Sequence, residues 1–395
     1  MTTREGPPGR DEAAGGGAAV RGTDARGPER PRSRPPTMQD VALATGVSRS
    51  TVSRILNDAR LTVPIAPETR ARVLDAAGRL GYRPNPLARA LRGAPMMLLG
   101  AIVRDITDPF FAGAIEAVSA EARLRGYNIV LGNAHAEAIE AFALAAVLEA
   151  RQCDAILLLG DMGDQPQLLA DLRDTHVPVV ALWQGSDLEP IPAVNVDNRA
   201  GIDAVMRHLE GLGHRRIAFI GGRLLGDIRE RQAAYLDAMT RMGAPVDERL
   251  IRHVANTPAD GEAAFGELMR LAVRPTAVVA STDVIAIGVL RGALTSGVRV
   301  PDELSVVGFD DIAMAAFTVP ALTTVRMPTA EMAEAAISIA IEAAGHKDGN
   351  RDVPLVRRLP PELVVRDSTA PPGIDERRAP PGAGELASVA KASRP

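Results

Sequence analysis

Nine residues, Gly46-Val47-Ser48-Arg49-Ser50-Thr51-Val52-Ser53-Arg54, constrain this chain more tightly than its length or composition does. Thr37 stands where a residue caps a first short helix, with Asp40 three positions on as its capping-box partner. Val41 and Ala44 give that helix an apolar side, and Gly46 ends it in a tight turn. Ser48 then caps a second helix in which Val52, Ile55 and Leu56 recur at the helical period and face inward. Arg49, Ser50, Ser53 and Arg54 remain on its outer face. A third helix runs from Pro67, at the favoured first helical position, through Val73, Leu74, Ala77 and Leu80 to a stop at Gly81. Helix, glycine turn and polar-faced helix together make a helix-turn-helix pattern. The apolar side docks the second helix on its neighbours. Short hydroxyls at its start allow close approach to DNA, and arginine forks match guanine O6 and N7. An ordinary pair of small helices with solvated arginines is the competing reading, and the third helix argues against it.

Asp40-Val41-Ala42, Gly46-Val47-Ser48, Thr51-Val52-Ser53-Arg54, Leu56-Asn57 and Tyr82-Arg83-Pro84-Asn85 together resemble the DNA-binding headpiece of the lactose-repressor (LacI/GalR) family. One departure is local: Ala66 stands where the family usually has a serine cap for the third helix. The resemblance implies a hinge helix after Asn85, ordered when two subunits lie side by side on DNA. It makes Leu91 the wedge that opens the minor groove and places Ala88 on the dimer face; inserting an apolar side chain trades unstacking for a bent, better-covered duplex. The implied DNA-binding set is Thr37, Ser48, Arg49, Ser50, Thr51, Ser53, Arg54, Asn57, Tyr82, Asn85, Ala88 and Leu91.

Charge is placed accordingly. Residues 36–93 carry a net of +5 and the first 35 residues +2, so the formal total of −4 leaves −11 on residues 94–395. A basic end on an acidic body suits a protein that meets phosphates at one end. The first 36 residues, rich in Gly, Pro, Arg and Ala, have no apolar core of a secretory signal and read as a disordered arm. No run of residues is apolar for long enough to span a bilayer. The lone Cys153 precludes a disulfide framework within the chain and reads as a core residue leading into a strand. A cytoplasmic protein is expected.

From Met96 onward short apolar runs alternate with amphipathic helices. Residues 96–103, 127–131, 155–159 and 178–182 read as strands, with helices at 110–125, 139–152 and 167–175. The pattern restarts with strands at 193–196, 216–220, 250–254, 277–280 and 305–309, and helices at 199–212, 231–242, 258–271 and 284–297. Such alternation implies parallel sheets covered on both faces. Two doubly wound lobes follow, their strand ends meeting at a common cleft. The fold class is thus α + α/β: a helix-turn-helix headpiece with a hinge helix, then a two-lobed body. The family resemblance, spanning Thr37 to Thr369, implies the same periplasmic-binding-protein-like effector domain, with crossings near Ala193, near Leu322-Thr323-Thr324 and in the mid-340s, and residues 355–365 returning to the second lobe as strand. The expected organisation is an arm (1–36), a DNA-binding domain (37–84), a hinge helix (85–93), an effector-binding and dimerisation body (94–369) and a disordered tail (370–395). Within the body the first lobe takes about 94–193 and 325–345, and the second about 194–322 and 346–369.

Strand ends carry the candidates for effector binding. Asp105-Ile106-Thr107-Asp108-Pro109-Phe110-Phe111 resembles the family's D-x-x-N-P-F-F segment, with Asp108 where asparagine is common. Phe110 and Phe111 either stack on a sugar or base ring or anchor the helix start; Trp183 either offers a flat apolar face or packs in the core. Arg231 begins the helix Arg231-Gln232-Ala233-Ala234-Tyr235, similar to the family's R-x-x-G-F/Y with Ala234 for glycine, and the resemblance makes it a donor to effector oxygens. Thr282-Asp283 stands where the family has Asn-Asp; Asp283 binds or caps the following helix. Asp310 is positioned to accept two hydroxyls, as saccharide recognition requires, and Asp311 is given a structural role.

Gly221-Gly222-Arg223-Leu224-Leu225-Gly226 lacks the spacing of a dinucleotide fingerprint or phosphate loop and reads as a flexible loop at the cleft mouth, and His214 reads as structural. No histidine shows zinc spacing and no nucleophile elbow is present, so neither cofactor, metal nor enzyme chemistry is expected. The expectation is a homodimeric repressor of a pseudo-palindromic double-stranded operator, controlled by a small effector of the sugar class. The alternative, a sugar-binding solute receptor without DNA function, predicts a signal peptide and no headpiece.

Overall fold

The computed structural model describes residues 34, 36–56, 65–83, 95–162, 171–172, 175–184, 191–222, 225–244, 246–345 and 356–373. The expected hinge helix at 85–93, with Asn85, Ala88 and Leu91, lies outside these residues, as do Asn57, most of the arm and most of the 167–175 helix. The chain divides into two compact units, Met1–Ala88 and Arg89–Pro395.

The first unit contains α1 (Met38–Thr45), α2 (Arg49–Leu56) and α3 (Pro67–Leu80). The capping box forms in both directions. Thr37 N donates to Asp40 Oδ2 at 2.7 Å and Asp40 N to Thr37 Oγ1 at 3.4 Å; the donations from Thr37 N and from Thr37 Oγ1, also at 2.7 Å, hold the Asp40 carboxyl below its usual range. Gly46 closes α1 with φ 70°, the left-handed cap that glycine adopts without steric cost. Ser48 Oγ accepts from Thr51 N at 3.1 Å and so caps α2. Ala66 gives α3 no side-chain cap. Val41, Ala42, Val52, Ile55, Val73, Ala76 and Ala77 form the core. The inward side of α1 is therefore Val41, Ala42 and Thr45, while the expected Ala44 is exposed. On α3, Val73, Ala76 and Ala77 turn inward and Leu74 and Leu80 are exposed. In helices this short, two neighbours decide which side is covered, and the apolar period alone leaves the choice open.

The second unit holds two parallel sheets. The first is ordered β11-β5-β4-β3-β1-β2, from β1 (Leu98–Val103), β2 (Asn128–Asn133), β3 (Ala155–Leu159), β4 (Val179–Leu182), β5 (Ala193–Val196) and β11 (Val356–Leu359). The second is ordered β7-β6-β8-β9, from β6 (Ile217–Gly221), β7 (Ile251–His253), β8 (Ala277–Ala280) and β9 (Ser305–Val307). Between them β10 (Thr324–Arg326) and β12 (Glu362–Val364) pair antiparallel. Helices α4 (Pro109–Leu124), α5 (Ala138–Ala150) and α10 (Thr329–Gly345) cover the first sheet. Helices α6 (Asn198–Gly211), α7 (Gly226–Arg241), α8 (Pro258–Met269) and α9 (Asp283–Thr295) belong to the second lobe. One apolar core runs from the first sheet into the second, and a further core backs each sheet on its other face.

Two lobe assignments differ from the sequence expectation. β5 completes the first sheet, so the first crossing follows Val196 rather than falling near Ala193. The run 355–365 is two strands split at Pro360-Pro361, where two consecutive residues lack an amide to donate. Its first half, β11, pairs with β5 in the first lobe, Val356 opposite Ala193, so the last crossing lies beyond Leu359 and not in the mid-340s. Ala370, expected to begin the tail, is bonded to the second lobe: its amide donates to Ser305 Oγ at 3.1 Å and its carbonyl accepts from that hydroxyl at 3.0 Å. His214 is buried on the same seam, against Thr276, Ser305 and the Ala370 carbonyl, in the structural role expected of it. Cys153 is buried just before β3. Among the described residues no helix is long and apolar enough to cross a membrane, and no cluster of side chains has the makings of a metal site.

Candidate functional site

Two surfaces carry the candidate residues. On α2, Val52 and Ile55 are buried while Ser48, Arg49, Ser50 and Arg54 are exposed. Thr51 and Ser53 are half-buried beside them. Ser48 Oγ also lies 2.7 Å from Ser50 Oγ and 2.8 Å from Thr51 Oγ1, so the N-terminal end of the helix presents a cluster of small hydroxyls. Forked cations and short hydroxyls on one exposed helix face supply the donors that base edges and phosphates accept. Thr37 forms the capping box of α1, and Tyr82 packs half-buried against the core of this unit.

The second surface is a cavity of 550 Å³ between the two lobes of the body. Its wall gathers strand-end residues, as an open α/β sheet dictates. Asp105, Asp108, Phe110 and Phe111 follow β1, Asp161 follows β3, and Trp183 follows β4. From the second lobe come Asp227 and Arg231 on α7, Asn256 after β7, Thr282 after β8 and Asp310 after β9. Phe110 sits edge-on to both Phe111 and Trp183, at 5.2 and 5.3 Å between centroids. Gly160 makes room for this cluster, since a Cβ there would lie 2.5 Å from the Phe111 ring. Trp183 takes a left-handed φ of 57°, Asp310 one of 112° and Asp311 one of 52°. Strained backbone is thus concentrated where strands meet the cleft, as it is at many functional sites.

Arg231 is 1% exposed and bonded on several sides. Its Nε donates to Asn198 Oδ1 at 2.8 Å, and its Nη1 donates to the Ser281 carbonyl at 2.5 Å and to Asp310 Oδ1 at 3.3 Å. Asp227 Oδ2 lies 3.6 Å from Nη2, and the guanidinium carbon stands 3.7 Å above the centre of the Phe309 ring. Burial drives the Asp310 carboxyl well above the usual carboxylate range, against the opposing pull of Arg231. Arg231 does not begin its helix: α7 starts at Gly226, whose amide donates to Asp161 Oδ2 at 2.6 Å. A carboxylate of the first lobe thus holds the start of a second-lobe helix. Asp108 does likewise, accepting from Asn256 Nδ2 at 2.9 Å while capping α4 through Phe110 N.

Of the expected cleft residues, the structure brings Phe110, Phe111, Trp183, Arg231, Thr282 and Asp310 to one wall. Asp283 is not among them and does not cap α9 either; Thr282 does, accepting from Ile285 N at 3.3 Å. Asp283 is buried behind the wall, accepting from Thr324 Oγ1 at 2.5 Å and Ile312 N at 2.9 Å, and its carboxyl is pushed up to about 7 by burial. It ties α9 to the crossing strand β10. Asp311 is held by Arg326 at 2.7 Å and Arg366 at 2.6 Å, a structural role as expected. Sequence reasoning passed over Asp161, Asp227, Asn198 and Asn256. Asp161 and Asn256 carry the same strand-end signal as Trp183, whereas Asp227 needed the true start of α7.

The chain matches the model of the bacterial regulatory proteins of the lacI family over residues 37–85 and that of the periplasmic binding protein-like domain over residues 206–369. It is 34% identical over 335 residues to the HTH-type transcriptional regulator GalS of Salmonella typhimurium, covering 85% of this chain and 96% of that protein. Among solved structures it is similar to the Lac repressor dimer bound to operator and the anti-inducer ONPF (26% identity, TM-score 0.76, 85% and 100% of the two chains). It is also similar to a complex of the transcriptional regulator CelR with cellobiose (31% identity, TM-score 0.63, 84% and 99% covered).

Proposed function

The chain belongs to the LacI family and is a DNA-binding regulator of transcription, and we propose that it is a repressor whose grip on a pseudo-palindromic operator is set by a sugar held in the interlobe cleft. In this reading Arg49, Ser50 and Arg54 read base edges in the major groove, while Thr37, Ser48, Thr51, Ser53, Asn57, Tyr82 and Asn85 fix the register on the phosphates. Leu91 opens the minor groove, with Ala88 packed against its counterpart in a second copy. Phe110, Phe111 and Trp183 supply the apolar face of the effector site, and Arg231, Thr282 and Asp310 its polar contacts.

The observation that carries the proposal is the division of α2 into a buried Val52–Ile55 side and an exposed side of arginines and hydroxyls. Exposed apolar residues on the first lobe, Leu124, Ile139, Phe142 and Val147, support a dimer in which a second copy covers them. Closing the lobes on the effector changes the separation of the paired first lobes and hence the order of the hinge helices. To invert occupancy from 1:99 to 99:1 the effector must favour one state by about 5.5 kcal/mol, which a ligand with several hydroxyls can supply. The protein acts in the cytoplasm, where its operator is. Selection of binding sites from a random duplex pool tests this: two half-sites related by a two-fold axis are expected, and Leu91→Ala is expected to reduce bending of the selected site. A single asymmetric half-site, or an unbent complex of the unaltered protein, contradicts it.

A further inference from the structure

We infer that the interlobe cleft takes a ligand without negative charge, a free sugar or an amino sugar, and turns away the phosphate ester or acid of the same sugar. The inference rests on the reading of the cleft as the effector site and narrows its chemistry. The wall holds five aspartates, Asp105, Asp108, Asp161, Asp227 and the deeply buried Asp310, against the guanidiniums of Arg104 and Arg231. No lysine or histidine joins them among the described residues. Both guanidiniums are already paired with carboxylates: Arg104 Nη2 with Asp108 at 3.0 Å, its guanidinium over the Phe111 ring and its Nε buried without a partner, and Arg231 as described above.

Helix N-termini are the other common anion sites in such a cleft, because free amides and the helix dipole point at the ligand. Four helices start at this wall, and an oxygen of the chain itself occupies each start. Asp108 accepts from Phe110 N at 3.1 Å, Asp161 from Gly226 N at 2.6 Å, Thr257 from Asp260 N at 3.2 Å, and Thr282 from Ile285 N at 3.3 Å. Two of these caps are carboxylates, so the positive ends of α4 and α7 are neutralised rather than offered. Asp227 Oδ1 is buried without a partner, and so is the indole N–H of Trp183, which is 4% exposed. Hydroxyls suit groups of both kinds, donating to a carboxylate or accepting from an indole, and an ammonium serves a carboxylate with charge added. A phosphate would surrender its hydration beside carboxylates, and among the described residues both guanidiniums of the wall are already paired.

Calorimetric titration of the full chain with matched sets tests this: glucose, glucosamine and glucose 6-phosphate; ribose and ribose 5-phosphate; cellobiose and cellobionic acid. In any set that binds, the neutral or aminated member is expected to bind at least about 100-fold more tightly than the anionic one. Asp227→Asn, its folding checked by thermal unfolding, is expected to narrow that gap. An anionic member binding within about tenfold of its neutral counterpart, or an undiminished gap in a folded Asp227→Asn protein, overturns the inference and leaves the effector reading standing. Binding by no member overturns the sugar reading, and this inference falls with it.

Discussion

On the outward side of α2, Arg49, Ser50 and Arg54 stand in solvent on a helix held from behind by Val52 and Ile55. In the cleft, Arg231 is closed off from solvent and bonded to Asn198, Ser281 and Asp310, which come from three separate parts of the second lobe. The first arrangement leaves its donors available, and in the proposed reading the charges and base edges of a duplex complete it. The second completes most of its bonds internally and leaves a small ligand only a few. Side chains without shared partners act nearly independently when altered, whereas a buried network transmits any change to its members. The same residue type, arginine, is therefore expected to be replaceable without loss of fold on α2 and to be part of the framework in the cleft.

The sharpest way to break this comparison is Arg231→Ala. Removing a buried cation that pairs with Asp310 and Asp227 is expected to cost about 3–5 kcal/mol and to abolish ligand binding, read by thermal unfolding and titration. A variant that unfolds like the parent would show that Arg231 is not part of the framework. Next comes Gly288→Ala, where an added Cβ would lie 2.0 Å from the Pro258 carbonyl oxygen and force α8 and α9 apart. A loss of about 3 kcal/mol is expected, or a fall in melting temperature of about 6–10 °C. Arg54→Ala is expected to weaken binding to the selected operator by about 1–3 kcal/mol and to relax preference at one base position. The unfolding of the body should not move, and if it does, the two regions are not separable.

The smallest effect is one of pH. The Asp283 carboxyl titrates near 7 in the fold against 3.8 for the free group, so the folded state holds the extra proton between these values. Its contribution to stability is complete below the lower value and lost as pH rises through the upper one. His208 and His214, kept neutral by burial, act with the opposite sign: their contribution is lost as pH falls below about 6.5. Asp283→Asn should therefore remove the decline on the alkaline side while leaving the acid side, measured as melting temperature between about pH 5 and 8. An unchanged alkaline limb would assign that decline to another group.

The contrast between the regions also governs what the sequence disclosed. The capping box at Thr37 and Asp40, the turn at Gly46 and the inward pair Val52 and Ile55 depend on neighbours within a few residues, and all were legible. The exchange of Ala44 for Ala42 on α1 marks the limit of that reading. In the body, β/α alternation was enough to bring Phe110, Phe111, Trp183, Thr282 and Asp310 to strand ends. It could not show that Arg231 would bond to groups 33, 50 and 79 residues away. Nor could it show that β11 would pair with β5 across the first sheet, or that Asp283 would face Thr324 rather than the cavity. Those outcomes depend on which distant segments meet, and local period and composition do not carry that information.

The most direct test of the whole account is equilibrium binding of the full-length dimer at one fixed salt concentration to its selected operator and to a random duplex. Each is measured with and without the sugar that stabilises the body. The account predicts a preference for the operator of about 1,000-fold or more, altered at least about tenfold by the sugar. Equal affinity for the two duplexes, unmoved by ligand, would contradict it.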